Sequence, residues 1–334
     1  MFRVLVTSTK PFEEEAFSRC LPKSIDESDI QWTFTDAFLK TETAEIVRGY
    51  QAVCVFVTDK LDASCLQKLR EYGVSLLLLR SAGFNHVDVE AAKRFGMKVA
   101  RVPKYSPEAV AEFAVALYLC LNRKIHKAHD RIREGNFSLS GLVGLNVSNQ
   151  VVGILGTGNI GKKTAQIFRG FGAKVVACDI SPDRVWAKEH EVEYVDLSFL
   201  LNISDVVSLH VPLNSSTKAI LNSETFSKMK HHSFLINTSR GGLVDTRALI
   251  KSLKAKKLAG AALDVYEEEE NIFFKDHSED IIDDDILVRL MTFPNVLITS
   301  HQAFLTQEAL GQIAETTISN ANNFVNSKLD NNFL

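Results

Sequence analysis

The stretch Val151-Val152-Gly153-Ile154-Leu155-Gly156-Thr157-Gly158-Asn159-Ile160-Gly161 decides how the rest of this chain is read. Val151 to Leu155 is a short apolar run that predicts a strand, and from Lys162 to Phe168 the pattern continues at helical spacing. The glycines between them have separate tasks. Gly156 permits a tight turn off the strand, Gly158 lets backbone approach a pyrophosphate, and Gly161 lets the helix pack on the strand. The helix start offers N–H groups and the positive end of its dipole. A second strand, Lys174 to Cys178, ends at Asp179, an acid about 20 residues on, where a ribose 2′-hydroxyl needs an acceptor. A lone glycine-rich turn is a weak signal. In this context it predicts a dinucleotide-binding unit.

Outward from this unit, Phe2–Thr7, Gln31–Thr35, Ala52–Val57, Ser75–Leu79 and Lys98–Val102 read as strands. Helical patterns at Lys10–Cys20, Asp62–Tyr72 and Val87–Phe95 alternate with them, which predicts a parallel, doubly wound sheet. Pro103 to Pro107 punctuates the chain, and a long helical pattern then runs from Glu108 to about Glu134. Its first half is apolar on nearly every face, as in deep burial or an oligomer contact. Further strands are expected at Val206–His210, Phe234–Asn237, Ala259–Asp264 and Val296–Ser300, with helices beginning near Leu197, Ser223 and Thr246. Only about thirty residues follow His301, too few for a domain. The helix from Thr306 to Val325 therefore returns to the first lobe. The expected fold is α/β, with two doubly wound parallel-sheet, Rossmann-like lobes. Residues 103–301 form a nucleotide domain inserted into a discontinuous domain of residues 1–102 and 302–334.

With 334 residues, of which 46% are hydrophobic and 24% charged, the chain has the composition of a soluble globular protein. The net charge of −3 and the absence of a basic stripe argue against nucleic acid. The amino terminus, MFRVLVTST, reads as a strand rather than a leader. The longest apolar run, Phe113 to Leu121, is far short of the ~20 residues that span a bilayer. Five cysteines with no CxxC pair read as reduced thiols, so a cytoplasmic protein is expected. The acidic clusters Glu267–Glu270 and Asp280–Asp285 read as a solvated connection rather than a metal site.

Chemistry is expected at the carboxyl ends of strands, where ligands of open α/β sheets gather. Arg240 follows the apolar Phe234–Asn237, Glu269 lies beyond Asp264, and His301 directly follows Val296–Ser300. A guanidinium fork matches the two oxygens of a carboxylate. An imidazole beside a carboxylate suits proton transfer. Among nine histidines, His210 competes with His301 on position, since it too closes an apolar strand. The segment Ser81-Ala82-Gly83 also stands after a strand and reads as a ligand contact.

Seven segments, RSAGFNHVD, RVPKYSPEAVAEFAVAL, GTGNIGKK, LHVPL, LINTSRGGLVDT, LAGAALDVYEEEE and FPNVLITSHQAF, closely resemble the D-isomer-specific 2-hydroxyacid dehydrogenases, in order and along essentially the whole chain. Within the family they are most similar to the fermentative D-lactate dehydrogenases. Phe113 and His86 depart from that branch's pattern. The resemblance implies a two-lobed NAD-dependent enzyme that reduces a small 2-oxo acid, pyruvate to D-lactate first, or oxidises the 2-hydroxy acid. It also implies a homodimer or higher homo-oligomer. Arg240 would clamp the substrate carboxylate, His301 would be the general acid or base, and Glu269, the third of four glutamates, would orient it. Gly156, Gly158, Asn159, Ile160 and Gly161 would meet the pyrophosphate, and Asp179 the adenosine ribose. Val211, Pro212 and Thr217 would serve the loop after the fourth strand, and Thr238, Ser239 and Asp264 the nicotinamide side. Ser81, Ala82, Gly83, Tyr105 and Phe304 would line the substrate pocket. Relatives acting on bulkier 2-oxo acids, glyoxylate or hydroxypyruvate, and a non-enzymatic dinucleotide sensor on the same scaffold, are the alternatives to test.

Overall fold

The computed structural model describes residues 1–21, 30–269 and 272–334, so Glu270 of the acidic run lies outside the described residues. The chain divides into two compact units, Met1–Ser106 with Leu305–Leu334, and Pro107–Phe304. Strands β1–β12 and helices α1–α12 are numbered along the chain.

The first unit is a five-stranded parallel sheet ordered β2-β1-β3-β4-β5. Its strands are β1 (Phe2–Val6), β2 (Ile30–Phe34), β3 (Ala52–Val55), β4 (Leu76–Leu79) and β5 (Lys98–Arg101). All four residues of β3 and of β4 are buried, as expected of strands covered on both faces. Helices α2 (Ala63–Glu71) and α3 (Val89–Arg94) cover one face through Leu66, Leu69 and Ala91. The other face takes α1 (Pro11–Cys20) together with the C-terminal helix α12 (Gln307–Val325). Ala314, Ile318 and Ala321 of α12 pack with Phe17 and β1, which makes this unit discontinuous.

The unit runs on past Val102 to Ser106, whose N–H donates to Gln312 Oε1 on α12 at 2.8 Å. Tyr105 therefore belongs to the first unit. Phe304 ends the second, where the buried Asp264 carboxylate holds the neighbouring N–H groups of Gln302 and Ala303.

The second unit has seven parallel strands ordered β12-β11-β10-β9-β6-β7-β8. They are β6 (Val151–Leu155), β7 (Lys174–Cys178), β8 (Val192–Tyr194), β9 (Val206–Leu209), β10 (Ser233–Asn237), β11 (Leu258–Leu263) and β12 (Val296–Ile298). Helix α4 (Pro107–Arg123) and helix α6 (Asn159–Gly170) bury Tyr118 and Phe168 on one face. The other face takes α8 (Leu197–Ile203), α9 (Ser223–Lys228), α10 (Thr246–Lys254) and α11 (Asp285–Met291).

One expectation changes. The long helix is two: Lys124 takes a left-handed φ of +54°, and a separate α5 (Ile125–Arg133) follows. The Lys124 ammonium compensates by donating to the carbonyls of Gly141 (2.9 Å) and Val143 (2.8 Å). The apolar face of α4 is consumed inside its own unit, and the exposed apolar side chains come later, at Phe137, Leu139 and Val143. The acidic stretch near Asp284 is structured, since this residue caps α11 through the N–H groups of Ile286 and Leu287 and accepts the Tyr266 hydroxyl at 2.8 Å. The short α7 (Arg184–Glu189) and β8 had no sequence signal strong enough to announce them.

Both sheets reverse direction once. In the first, β2 and β3 lie on opposite sides of β1, and in the second, β7 and β9 lie on opposite sides of β6. Such reversals open a crevice at the strands' carboxyl ends. In the first unit side chains fill it. Asp59 is buried and accepts four bonds: Thr7 Oγ1 (2.9 Å), Ser8 Oγ (2.6 Å), Leu39 N (2.7 Å) and Phe56 N (2.8 Å). Beside it, the buried Arg80 pairs with Glu13 at 3.1 Å and donates to the Thr7 carbonyl at 2.9 Å. Among the described residues no helix is long and apolar enough to cross a membrane, and all five cysteines are free thiols.

Candidate active site

The crevice of the second unit is lined by glycine. Gly156 leaves β6 at φ +95°, and a Cβ there would lie 2.7 Å from the His210 carbonyl. A Cβ on Gly161 would lie 1.9 Å from the Gly156 oxygen, so the helix can start where it does only with glycine. Around Gly158 nothing lies within 4 Å of an added Cβ, which leaves the approach open in front of the first turn of α6. Its leading N–H groups, at Asn159 and Ile160, have no intrahelical partner. An open approach toward unpaired N–H donors and a positive helix end is what a pyrophosphate requires.

Asp179 follows β7 beside this turn. It accepts the N–H (2.6 Å) and hydroxyl (3.0 Å) of Thr157 on one oxygen and the N–H of Ser181 (2.8 Å) on the other. Burial works against its charge, but these donors outweigh it and hold the carboxyl below its ordinary range. The loop after β9 is pinned internally: the Ser239 hydroxyl donates to the Val211 carbonyl at 2.7 Å and the Thr217 hydroxyl to that of Pro212 at 2.6 Å. The Thr238 hydroxyl oxygen is buried without a partner among the described residues. An orphaned polar atom at a strand end suits a ligand's polar group. Together the open glycine turn, the fixed acid and this orphan fit a dinucleotide.

Arg240, Glu269 and His301 follow β10, β11 and β12, three neighbouring strands. The loops after β10 and β11 touch through Gly241, where a Cβ would meet the Tyr266 carbonyl carbon at 2.0 Å. Tyr266 N–H in turn donates to Glu269 Oε2 at 3.0 Å, and Glu269 Oε1 meets His301 Nδ1 at 2.7 Å. A carboxylate only accepts, so Nδ1 carries the hydrogen and Nε2 is left to face a ligand. His301 has a left-handed backbone, φ +54°. Asp264 holds it there: its carbonyl accepts the His301 N–H at 2.7 Å, and its carboxylate takes Thr299 Oγ1 (2.5 Å), Gln302 N (2.9 Å) and Ala303 N (2.8 Å). Those bonds turn the Asp264 side chain toward the histidine loop. Arg240 donates one bond to the Ser239 carbonyl at 2.7 Å and has no carboxylate partner among the described residues.

His210, the positional rival, faces inward. Its Nε2 lies 2.8 Å from the Ser208 hydroxyl, and burial pushes its pKa down to about 4, so it is a neutral buttress behind the glycine turn. In the first unit, Ser81 Oγ donates to the Gly83 carbonyl at 2.7 Å and Arg101 to that of Ala82 at 3.0 Å, fixing this turn's shape. Gly241 and Asp264's grip on the histidine loop were missed in the sequence; the RGG tripeptide was the available signal for the former.

Comparison with known proteins identifies the family. Residues 115–303 match the model of the family described as D-isomer specific 2-hydroxyacid dehydrogenase, NAD binding domain. The chain is 50% identical to D-lactate dehydrogenase kk1H of Curvularia clavata, over 95% of this chain and 91% of that one. The apo structure of D-lactate dehydrogenase from Escherichia coli superposes with a TM-score of 0.90 at 41% identity, covering 100% of both chains. D-lactate dehydrogenase with NAD+ from Lactobacillus jensenii gives 0.82 at 31% identity, over 99% of this chain and 98% of that one. The chain belongs to the D-isomer-specific 2-hydroxyacid dehydrogenases and is an oxidoreductase that uses NAD.

Proposed function

We propose that this enzyme reduces pyruvate to D-lactate, reversibly, and that Arg240, Glu269 and His301 carry the reaction. The observation that carries the reading is the 2.7 Å pair of His301 and Glu269 at the end of β12, beside strands that also present an uncompensated arginine. The coenzyme, when bound, supplies the hydride from its nicotinamide C4. Arg240 binds the substrate carboxylate in its fork, which orients the carbonyl. His301 gives the proton on Nε2 to the carbonyl oxygen as it gains charge, and takes it back in the oxidation direction. Glu269 fixes the ring's tautomer and orientation. We assign Ser81, Ala82, Gly83, Tyr105 and Phe304 to the substrate. Phe304, three residues after His301, takes its C3 end, where an extra methylene overpacks at a cost of about 1–3 kcal/mol. We also assign the exposed segment with Phe137 (74% exposed), Leu139 (80%) and Val143 (82%) to contact with a second copy of the chain.

The test is loss of 340 nm absorbance with NADH and a panel of 2-oxo acids, with an enantiomer-specific assay of the product. Pyruvate should exceed 2-oxoisocaproate and phenylpyruvate by about tenfold or more in kcat/KM, a gap matching the cost of overpacking. Phe304→Ala should narrow it. His301→Ala should lower kcat by about 10²–10⁴ while NADH fluorescence still reports binding. No turnover of any 2-oxo acid would make this a dinucleotide-binding protein without the reaction. A preference for branched or aromatic acids would overturn pyruvate alone.

A further inference from the structure

Four groups beside the glycine turn form a chain of hydrogen bonds whose direction is fixed. The Asp183 backbone N–H, which can only donate, lies 3.2 Å from the Tyr194 oxygen. The Tyr194 oxygen lies 2.7 Å from Thr157 Oγ1, and Thr157 Oγ1 lies 3.0 Å from Asp179 Oδ2. An ionised carboxylate can only accept. The Thr157 hydrogen is therefore committed to Asp179, the Tyr194 hydrogen to Thr157, and the Asp183 N–H to Tyr194. Asp183 is itself held, by Lys162 at 2.5 Å and by the N–H of Trp186 at 3.1 Å, so the chain has an anchored end. Tyr194 is anchored too: it closes β8 and pairs in register with Ala177 of β7, the strand that delivers Asp179.

The consequence falls on Asp179. Its Oδ2 already receives both the N–H and the hydroxyl of Thr157, while Oδ1 receives the Ser181 N–H, and the Ile180 N–H also favours the carboxylate. These donors set the direction in which Asp179 can accept. A carboxylate so held welcomes a ligand hydroxyl and repels a ligand phosphate.

We infer that Tyr194 is a positioning residue for coenzyme selectivity: through Thr157 it fixes Asp179 as an acceptor for the ribose 2′-hydroxyl of NADH and against the 2′-phosphate of NADPH. This rests on the reading of Asp179 as the ribose contact. Tyr194→Phe removes one hydroxyl, leaves the ring packed, and frees the Thr157 hydroxyl to turn away from Oδ2. Asp179 then keeps its charge but loses its fixed direction.

The experiment measures KM and kcat with NADH and with NADPH for the wild type, Asp179→Ala, Tyr194→Phe, Thr157→Val, Thr157→Ser and the Tyr194→Phe/Thr157→Val double variant. Melting temperatures confirm that each is folded. Tyr194→Phe should raise the KM for NADH about three- to tenfold, the scale of one ordinary hydrogen bond between neutral groups. Its kcat at saturating NADH should stay within about twofold, because the chain acts on binding rather than on the reacting atoms. The NADH-over-NADPH ratio of kcat/KM should fall with it. Thr157→Val should match that fall, Thr157→Ser should restore most of it, and the double variant should be no worse than either single one. A wild-type ratio in Tyr194→Phe, or fully additive losses in the double variant, would overturn the role of Tyr194. An unchanged ratio in Asp179→Ala would remove the ribose reading and this inference together. A collapsed ratio there with an unchanged Tyr194→Phe would sink only the inference.

Discussion

The two sheets reverse at equivalent places and treat the reversal oppositely. At the first, between β1 and β3, the crevice is occupied by protein: Asp59 gathers four donors from three loops, and Arg80 pairs with Glu13 below them. At the second, between β6 and β9, the corresponding loop is Gly156-Thr157-Gly158, and an added Cβ on Gly158 would meet nothing within 4 Å. Topology alone therefore does not make a nucleotide site. One crevice is closed by side chains that satisfy one another, and the other is kept open by residues without side chains.

The largest expected effect comes from closing the open one. In Gly161→Ala the new methyl would overlap the Gly156 oxygen, a rigid backbone atom. Helix α6 would have to shift off β6. We expect a loss of at least about 3 kcal/mol and no detectable NADH binding. Urea unfolding followed by Trp186 fluorescence measures the first and NADH fluorescence the second. Wild-type behaviour in both would mean that the glycine is not what brings helix and strand together.

Much of this was legible in advance, and the boundary of legibility is physical. The glycine turn, Asp179 and the strand-end Arg240 and His301 are local signals, each readable within a few residues of a strand, whereas Glu269 was singled out among four glutamates by the family resemblance. The returning helix α12 was readable because its apolar spacing had to find a partner. What escaped depends on side chains meeting across long sequence gaps. The Asp59 cluster joins residues 7, 8, 39, 56 and 59, and nothing near Asp59 distinguishes it from a surface turn. Tyr194 likewise carries no sequence signal of its own until Thr157, from another loop, lies 2.7 Å away. The break at Lys124 was hidden because the helical pattern continues on both sides of it.

Opening the closed crevice should cost somewhat less. Each Asp59 oxygen takes two donors: Oδ2 takes Thr7 Oγ1 and Phe56 N, Oδ1 takes Ser8 Oγ and Leu39 N. In Asp59→Asn an NH2 group must face one of these pairs whichever way the amide is turned. Donor then meets donor in a buried site, and we expect a loss of about 2–4 kcal/mol. Trp32, on β2 of the same unit, reports it in a Trp186→Phe background by urea unfolding. NADH affinity should be unchanged, because the glycine turn is in the other unit. A loss of affinity equal to the loss of stability would mean that the two crevices are not independent.

Gly158→Ala separates openness from packing. The methyl meets no protein atom and φ there is −68°, so folding should be indifferent. It stands, however, where the backbone admits a phosphate. We expect a melting temperature within about 1–2 °C of wild type, since no named destabilising mechanism applies. NADH binding should weaken by tenfold or more, about 1.4 kcal/mol. Gly158→Ala and Gly161→Ala thus pull apart two roles that the motif presents as one. Unchanged affinity in Gly158→Ala would show that the open approach is not the coenzyme's route.

The smallest effect tests a device that both units share. Ser8 at φ +51° and His301 at φ +54° are non-glycine residues in the left-handed region, each held by a buried aspartate, Asp59 or Asp264. A Cβ in this region costs roughly 1 kcal/mol, which glycine does not incur. Side-chain loss is common to an alanine and a glycine variant at either position, so their difference isolates the backbone. Ser8→Ala removes the bond to Asp59 and keeps the strain; Ser8→Gly removes the bond and relieves it. Glycine's own loss of chain entropy on folding works the other way and trims the difference. We therefore expect Ser8→Gly to be more stable than Ser8→Ala by about 0.5–1 kcal/mol, and His301→Gly than His301→Ala by the same margin, although both His301 variants should lose most of their turnover. Urea unfolding of the four variants measures both gaps. A glycine variant less stable than its alanine partner would place that residue outside the left-handed region. At position 301 it would also remove the backbone reason for the placement of the ring against Glu269.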